Sequence, residues 1–439
     1  MSELSESTLP GVVLTIIHLS RAAETLLLKL LHRVSPSLAA AGNFALSGAA
    51  FAIGNLLLAR QMDVKAYASL SLCTAVFVVA SQMATLGYTQ VAQRQALPGG
   101  AALLIRLLLP GLLVGAVVAA LVRWHYGLGM ATALWLMLLI AAGTLIWVVV
   151  NMLLRVGRRG WAFLVQTMTD WSFLLLGLWA LVSPGWADSA AFATYSALVI
   201  LLAAGAWMVQ ARLVPPAGDD YRPVPWSLLW SSTAIVGGGV LLSQIERLTV
   251  GFLLEPGDLA MVAVLASIAV FAFRLVNTGV GFVLTPSLRR IADVEGRRRL
   301  VRHELRVIGG TLLLATVGIC LLGPHVARWI TAGQYEPGLW LLLAACLAGA
   351  AKVLHGIPRA IIVACGTNEE LGRLSRFMWL GVAFAVLGAL AGRSAGLIGV
   401  LAGIAAGSML GAIPGARLAQ RVLRAPPMPG AGETPRAGP

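Results

Sequence analysis

Twelve apolar stretches, each about as long as a bilayer is thick, fill most of this chain. A membrane-spanning helix needs about 20 mostly apolar residues to cross a hydrocarbon core of roughly 30 Å. A soluble fold is excluded, because 59% hydrophobic residues and only 11% charged residues would leave it without a polar surface. The sequence therefore predicts an all-α integral membrane protein. The predicted spans are 37–59, 65–90, 103–122, 129–153, 161–182, 188–209, 228–252, 259–284, 305–325, 338–362, 371–391 and 395–420.

The basic residues predict how the chain is oriented in the membrane. If the N-terminus is cytoplasmic, 24 of the 32 Lys and Arg residues fall in the termini, in the even-numbered connections or at the span ends beside them, and five fall in or beside the odd-numbered connections. Cytoplasmic loops are enriched in Lys and Arg, so we expect both termini in the cytoplasm. The net charge of +14 is spread over short loops beside the membrane, which favours anionic lipids over nucleic acid as a partner.

A proline-rich interruption at 211–225 divides the spans into six and six. An even number of spans returns the chain to the same side, so two such halves would be related by an axis along the membrane normal. Before the first span, polar residues recur every three or four positions, which predicts an amphipathic interfacial helix. The predicted parts are a cytoplasmic amphipathic segment 1–36, an N-terminal six-helix lobe 37–210, a cytoplasmic linker 211–227, a C-terminal six-helix lobe 228–422 and a disordered cytoplasmic tail 423–439.

The cysteines predict neither a metal site nor a cofactor site. All four lie in or beside apolar spans and lack the spacing of metal ligands, which is typical of small buried residues. The acidic start of the chain also argues against a cleaved signal peptide. These cysteines are Cys73, Cys320, Cys346 and Cys365.

Faint internal similarity appears when the first half is shifted by 192 positions. The shift lays Asp63 on Glu255 and Gly87 on Gly279, and pairs spans one and two with spans seven and eight. It also places Gln82 at the depth of Arg274.

The stretch Gln244 to Leu254, followed by a short acidic loop and an alanine-rich span, resembles the seventh-span signature of polysaccharide exporters and O-antigen-type lipid-linked oligosaccharide flippases. The end of span one, Asn55 to Arg60, looks like the corresponding first-span motif. In the seventh-span stretch the family commonly has Asp where this chain has Glu246. The resemblance implies a two-lobed, V-shaped fold, shared with multidrug antiporters of the MATE type and with the lipid II flippase. It also implies a central cavity lined mainly by spans one, two, seven and eight.

Arg274 is the sharpest functional signal, because it lies midway along span eight. A cation at that depth costs at least about 2.5 kcal/mol, so it should face a wet cavity or a partner. Ser267, Arg274 and Thr278 share one predicted helix face. In one interpretation Arg274 binds a phosphate of a lipid-linked sugar, and in the other Asp170, Glu246 or backbone carbonyls neutralise it.

Other polar groups in the spans leave alternatives open. Glu246 and Arg247 would form a local ion pair or act in gating, and Glu246 or Asp170 would bind a coupling proton. Lys352 begins a cationic stripe with His355 and Arg359, which would attract pyrophosphate or contact lipid headgroups. The lumen candidates are Arg274, Gln82, Thr278, Asn43 and Lys352, and the gating or coupling candidates are Glu246, Arg247, Asp170 and Gly238.

Glycines suggest two different roles. Three adjacent glycines around Gly238 would loosen span seven and let it bend between inward and outward states. In the last span, five glycines from Gly399 to Gly415 recur every four residues, which predicts close packing against another helix.

The resulting hypothesis is a flippase of the bacterial inner membrane that carries an undecaprenyl-pyrophosphate-linked oligosaccharide outward during O-antigen, capsule or exopolysaccharide biosynthesis. Such a protein is not an enzyme, and its partners would include polysaccharide polymerase and chain-length machinery. The alternative is a MATE-like small-molecule or drug antiporter, which would need a titrating carboxylate in its lumen; span one has none. A membrane glycosyltransferase would need a larger catalytic loop than the predicted outer loops provide.

Overall fold

A computed structural model of the protein describes residues 36–94, 97, 100–183, 185–215, 226–291 and 293–425. Most of the predicted N-terminal segment, the central part of the linker and the tail from 426 onward lie outside these ranges. Side chains are not described at 36–44, 93–94, 159, 227–228, 278, 282–283 and 290.

Every regular element in the described ranges is helical. The short helix Tyr88–Arg94 follows α2, and α8 is built of the consecutive segments Pro256–Leu265, Ala266–Val270, Phe271–Gly279, Val280–Leu284 and Thr285–Arg290. The other long helices are α1 Pro36–Gln61, α2 Val64–Ala84, α3 Gly100–Tyr126, α4 Met130–Arg155, α5 Arg159–Val182, α6 Trp186–Leu213, α7 Trp226–Leu253, α9 Val294–Ile330, α10 Leu339–Cys365, α11 Asn368–Gly392 and α12 Gly396–Arg424.

The twelve long helices correspond to the twelve predicted spans. Within the described ranges, nine stretches are long and apolar enough to cross a membrane, and one of them, Asn368–Arg424, holds both α11 and α12. These nine stretches hold ten of the long helices. The other two, α1 and α7, have 26 and 28 residues and bring the number to twelve. The all-α membrane fold is therefore confirmed.

The helices pack as two lobes. In the first, α1 packs on α5, and α4 packs on α2, α3 and α6. In the second, α12 packs on α10 and α11, while α7 packs on α11 and α8 packs on α10. The lobes meet where α1 contacts α8 and α9 and where α2 contacts α7 and α8.

The glycine repeat of α12 forms the predicted packing surface. A Cβ atom added to Gly403 would lie 2.0 Å from the carbonyl oxygen of Gly388, and one added to Gly399 would lie 2.2 Å from that of Gly392. The backbones of α11 and α12 are therefore in contact, as small residues allow in membrane helices. Gly415, the last of the five, has a looser contact, 3.8 Å from Pro358.

Two π-helical segments, Ala266–Val270 and Val280–Leu284, interrupt α8. Each admits an extra residue into a turn and so rotates the side chains that follow. Ser267 is buried and Arg274 is exposed, and the Thr278 side chain lies outside the described part, so the common face of the three stays a prediction. Such π segments are frequent at functional sites.

Helix α9 is longer than a bilayer requires. Its 37 residues span about 56 Å, against a hydrocarbon core of roughly 30 Å. Asp293 caps its start by accepting hydrogen bonds from the backbone N–H groups of Gly296 and Glu295, at 2.7 and 3.2 Å. These bonds, that of Gly296 above all, hold the pKa of the exposed Asp293 carboxyl below its usual value.

Candidate functional site

Two residues that are distant in sequence form an ion pair inside the second lobe. Lys352 of α10 donates a hydrogen bond to Glu246 Oε2 of α7 at 2.5 Å and another to the Ser243 carbonyl oxygen at 2.8 Å. The Lys352 and Glu246 side chains are only 12% and 6% exposed. The predicted need of Lys352 for a buried partner is therefore met by Glu246.

The pair lies on a cleft where the lobes meet, with an accessible volume of about 40 Å³. The wall is mostly apolar, with the charged groups of α7, α8 and α10 set into it. Helix α1 contributes Phe51 to the wall, and α12 contributes Leu401. The polar and charged lining residues are Ser243, Gln244, Glu246, Arg247, Arg274 and Lys352.

The cleft contains all three cations that the sequence places inside the spans and away from the connections. These cations are Arg247, Arg274 and Lys352. Among the described lining residues, one carboxylate, that of Glu246, accompanies them. Three cations against one carboxylate leave an excess of positive charge in a wall with little polar surface. Such a site favours an anion, because charges interact more strongly where water is scarce.

Arg274 also faces a carboxylate of the other lobe. Asp170 on α5 is half-buried, is hydrogen-bonded to Ser47 of α1 and lies within electrostatic range of Arg274. The predicted alternative in which Asp170 helps to neutralise Arg274 therefore has structural support. This interaction joins the two lobes, since Asp170 belongs to the first lobe and Arg274 to the second.

Arg247 has a different environment. It is 8% exposed, and within the described part of the chain it has no hydrogen bond and no ion pair closer than 4.0 Å. It interacts electrostatically with Glu246 and with Tyr67, which is fully buried on α2. The structure therefore presents a buried guanidinium at the cleft with unused donors.

Among the other lumen candidates, Gln82 does not join this cleft. Gln82 lies in the last turn of α2, where Gly87, with a φ of 77°, lies against Leu229 and Ser232 near the start of α7. It is not among the described lining residues. The side chains of Asn43 and Thr278 lie outside the described part, so their roles stay predictions.

The predicted cationic stripe on α10 faces other helices. His355 is buried, and its Nε2 lies 2.8 Å from the Ser408 carbonyl oxygen of α12. Arg359 lies beside α7, where its Nη1 would be 2.7 Å from a Cβ atom added to Gly239. Gly238 lies against Met378 of α11 within a continuous α7, so its predicted bending role stays untested.

Sequence reasoning missed a hydrogen-bonded contact between the lobes. Asn55 of α1 donates to Tyr67 Oη and Ser267 Oγ at 2.8 Å each, and to the Ala263 carbonyl oxygen at 3.2 Å. At another contact between the lobes, His125 of α3 stacks on Phe252 of α7 with ring centroids 4.0 Å apart. A buried amide within an apolar span was the available signal, because such a group needs partners.

The described helices and the cleft define a multi-pass α-helical membrane fold with a charged cleft where its two lobes meet. The sequence matches no protein-family model and no curated protein. Solved structures of transporters and of a flippase nevertheless share the fold.

An inward-facing multidrug-resistance MATE transporter of the MOP superfamily is 15% identical, with a TM-score of 0.61 over 86% of this chain and 94% of that one. A MOP-superfamily transporter from Pyrococcus furiosus Vc1 is 18% identical, with a TM-score of 0.52 over 92% and 93%. The lipid II flippase MurJ in an inward closed conformation is 12% identical, with a TM-score of 0.56 over 87% and 89%. At these identities the likeness establishes the fold.

Proposed function

We propose that this protein is a flippase that moves an undecaprenyl-pyrophosphate-linked oligosaccharide across the bacterial inner membrane for the synthesis of a surface polysaccharide. No bond is made or broken. The cleft shelters the sugar and pyrophosphate while the lipid tail stays in the bilayer, and rocking of the lobes changes the side of access. The protein thereby lowers the cost of carrying a polar head through hydrocarbon.

The excess of cations in the cleft carries this proposal. A pyrophosphate that joins a lipid to a sugar has two negative charges, and a guanidinium offers a fork of donors that matches phosphate oxygens. Arg247 and Arg274 are two such groups in one chamber. The apolar remainder of the wall keeps the field of these charges strong.

The similar structures are compatible with a lipid-linked substrate. MurJ is described as a lipid II flippase, and the Pyrococcus furiosus transporter is described as having a binding pocket of reverse polarity. The same fold therefore accommodates pockets of more than one polarity. The proposal includes the predicted topology, with both termini cytoplasmic, and polymerase and chain-length machinery as partners.

The antiporter alternative fits the charges less well. A cationic drug would meet the three cations of the cleft, and the carboxylates near it already face basic groups. Glu246 is paired with Lys352, and Asp170 lies near Arg274. A coupling carboxylate with no neighbouring cation would have favoured this alternative.

The test is transport in a strain that lacks the gene. The parent protein should restore translocation of the lipid-linked oligosaccharide, and Arg274→Ala should lower it severalfold at equal membrane abundance. Arg393→Ala is the matched control, because Arg393 is an exposed arginine in the short turn between α11 and α12.

Two outcomes would count against the proposal. In one, Arg274→Ala transports as well as the parent, so the cleft does not hold the head group. In the other, deletion changes drug resistance and leaves surface polysaccharide intact, which favours the antiporter. Gln82→Ala then separates the observed cleft from the predicted lumen, because Gln82 lies outside the lining described above.

A further inference from the structure

The two neighbouring residues 246 and 247 place opposite charges in one cleft. Taken as whole residues, Glu246 is 4% exposed and Arg247 is 8% exposed, and both line the cleft. A buried charge is retained only where it has partners or a task, because desolvation is costly. The structure gives each of these side chains fewer partners than its chemistry allows.

Glu246 uses only one of its two carboxylate oxygens as an acceptor among the described residues. Its Oε2 accepts the hydrogen bond from Lys352, whereas its buried Oε1 has no hydrogen-bond partner among the described residues. A carboxylate can accept about four hydrogen bonds, and an unsatisfied buried oxygen costs about 1 to 3 kcal/mol. The described residues around Glu246 therefore leave part of its hydrogen-bonding capacity unused.

Arg247 is the complementary case. Its guanidinium carries five N–H donors, and within the described part of the chain none of them has a hydrogen-bond acceptor. Lys352 already donates to Glu246 and Ser243, and Arg274 already faces Asp170. Among the three cations, Arg247 is thus the one whose donors are most available to an incoming anion.

We propose that Arg247 anchors a diphosphate in the cleft, and that Glu246 is a resident counter-anion that limits how tightly the diphosphate binds. The inference deepens the proposed function, from which it takes the diphosphate as the ligand. Glu246 keeps Lys352 partly neutralised in the empty cleft and repels the phosphate that approaches Arg247. A transporter needs this limit, because a head group held too tightly by three cations would not leave.

The proposal predicts opposite effects at adjacent positions. Glu246→Gln removes the competing charge and keeps the shape, so the affinity for inorganic pyrophosphate should rise about tenfold, which equals about 1.4 kcal/mol. Arg247→Gln removes the anchor, so the affinity should fall about tenfold or more. In translocation assays, Glu246→Gln should lower KM and kcat together, because tighter binding slows release.

The experiment is calorimetric titration of the full-length protein in detergent with inorganic pyrophosphate, using monodisperse samples of each variant. Arg393→Gln serves as the matched control and should bind like the parent. Because Glu246→Gln leaves Lys352 without its carboxylate, the double variant Glu246→Gln/Lys352→Gln is also measured. It should bind more weakly than Glu246→Gln alone, since a cation has been removed.

An affinity of Glu246→Gln equal to or below that of the parent overturns the role of Glu246. An Arg247→Gln variant that binds pyrophosphate like the parent overturns the anchor. Failure of the proposed function is distinguishable, because the binding arm does not require the lipid-linked oligosaccharide. Opposite affinity changes without translocation would refute the flippase and leave the anion site standing.

Discussion

Removal of Lys352 would test whether Glu246 is held as a charge within the fold. In the structure the pair is 12% and 6% exposed, and Glu246 Oε1 has no other described partner. Lys352→Met keeps the bulk of the side chain and leaves both carboxylate oxygens unpaired. Breaking a buried pair from one side costs about 3 to 5 kcal/mol, which is a large part of the stability of a typical domain.

The assay is a double-mutant cycle of equilibrium unfolding in mixed micelles with a rising fraction of denaturing detergent. Lys352→Met should be destabilised by several kcal/mol, about 3 or more. The double variant Glu246→Gln/Lys352→Met removes both charges and should recover most of the loss, since neutral replacement of a buried pair is often tolerated. A single variant within about 0.5 kcal/mol of the parent, or a double variant no more stable than the single, would refute this reasoning.

Three further predictions follow from packing and capping. Gly403→Val forces a side chain against the Gly388 carbonyl, which is 2.0 Å from the added Cβ, and should cost about 1 to 3 kcal/mol in the same unfolding assay. Asn55→Val removes the hydrogen bonds from α1 to α2 and α8 and should raise hydrogen exchange where the lobes meet. Asp293→Ala should raise exchange in the first turn of α9, and the parent should lose this protection as the pH falls through the lowered carboxyl pKa.

Each of these predictions has its own control. Gly205→Val adds the same side chain where nothing lies within 4 Å, so its stability should change by less than about 0.5 kcal/mol. Asn55→Asp would show whether shape alone holds the lobes together. Asp293→Asn keeps a capping oxygen and should protect the turn without the pH dependence. Equal exchange in all Asp293 variants would show that the cap does not hold α9.

Much of the fold was predictable because its causes are local. Apolar length requires a helix in the membrane, where every backbone N–H must be bonded within the segment. The glycine period in α12 predicted the contact with α11 for a similar reason, since four-residue spacing puts the missing side chains on one face. The charged residues within apolar spans also predicted where polar interactions would be found.

The candidate site was only partly predictable. The internal shift placed Gln82 level with Arg274, but depth in the membrane does not say which way a side chain points. The break after Ala84 ends α2 near Gln82, and the π segments of α8 rotate the face that carries Arg274. Both features depend on packing against neighbouring helices, which hydrophobic periodicity does not encode.

By itself, the sequence determined that the chain crosses a membrane many times, where its helices lie and which three cations remain in the spans, because these follow from apolar length and local charge. Only the tertiary structure decided that the cations share one cleft and that Lys352 pairs with Glu246. Those two residues are 106 positions apart, on helices whose relative rotation is set by packing. A side chain's partner depends on that rotation, so the electrostatics of the cleft belong to the fold as a whole.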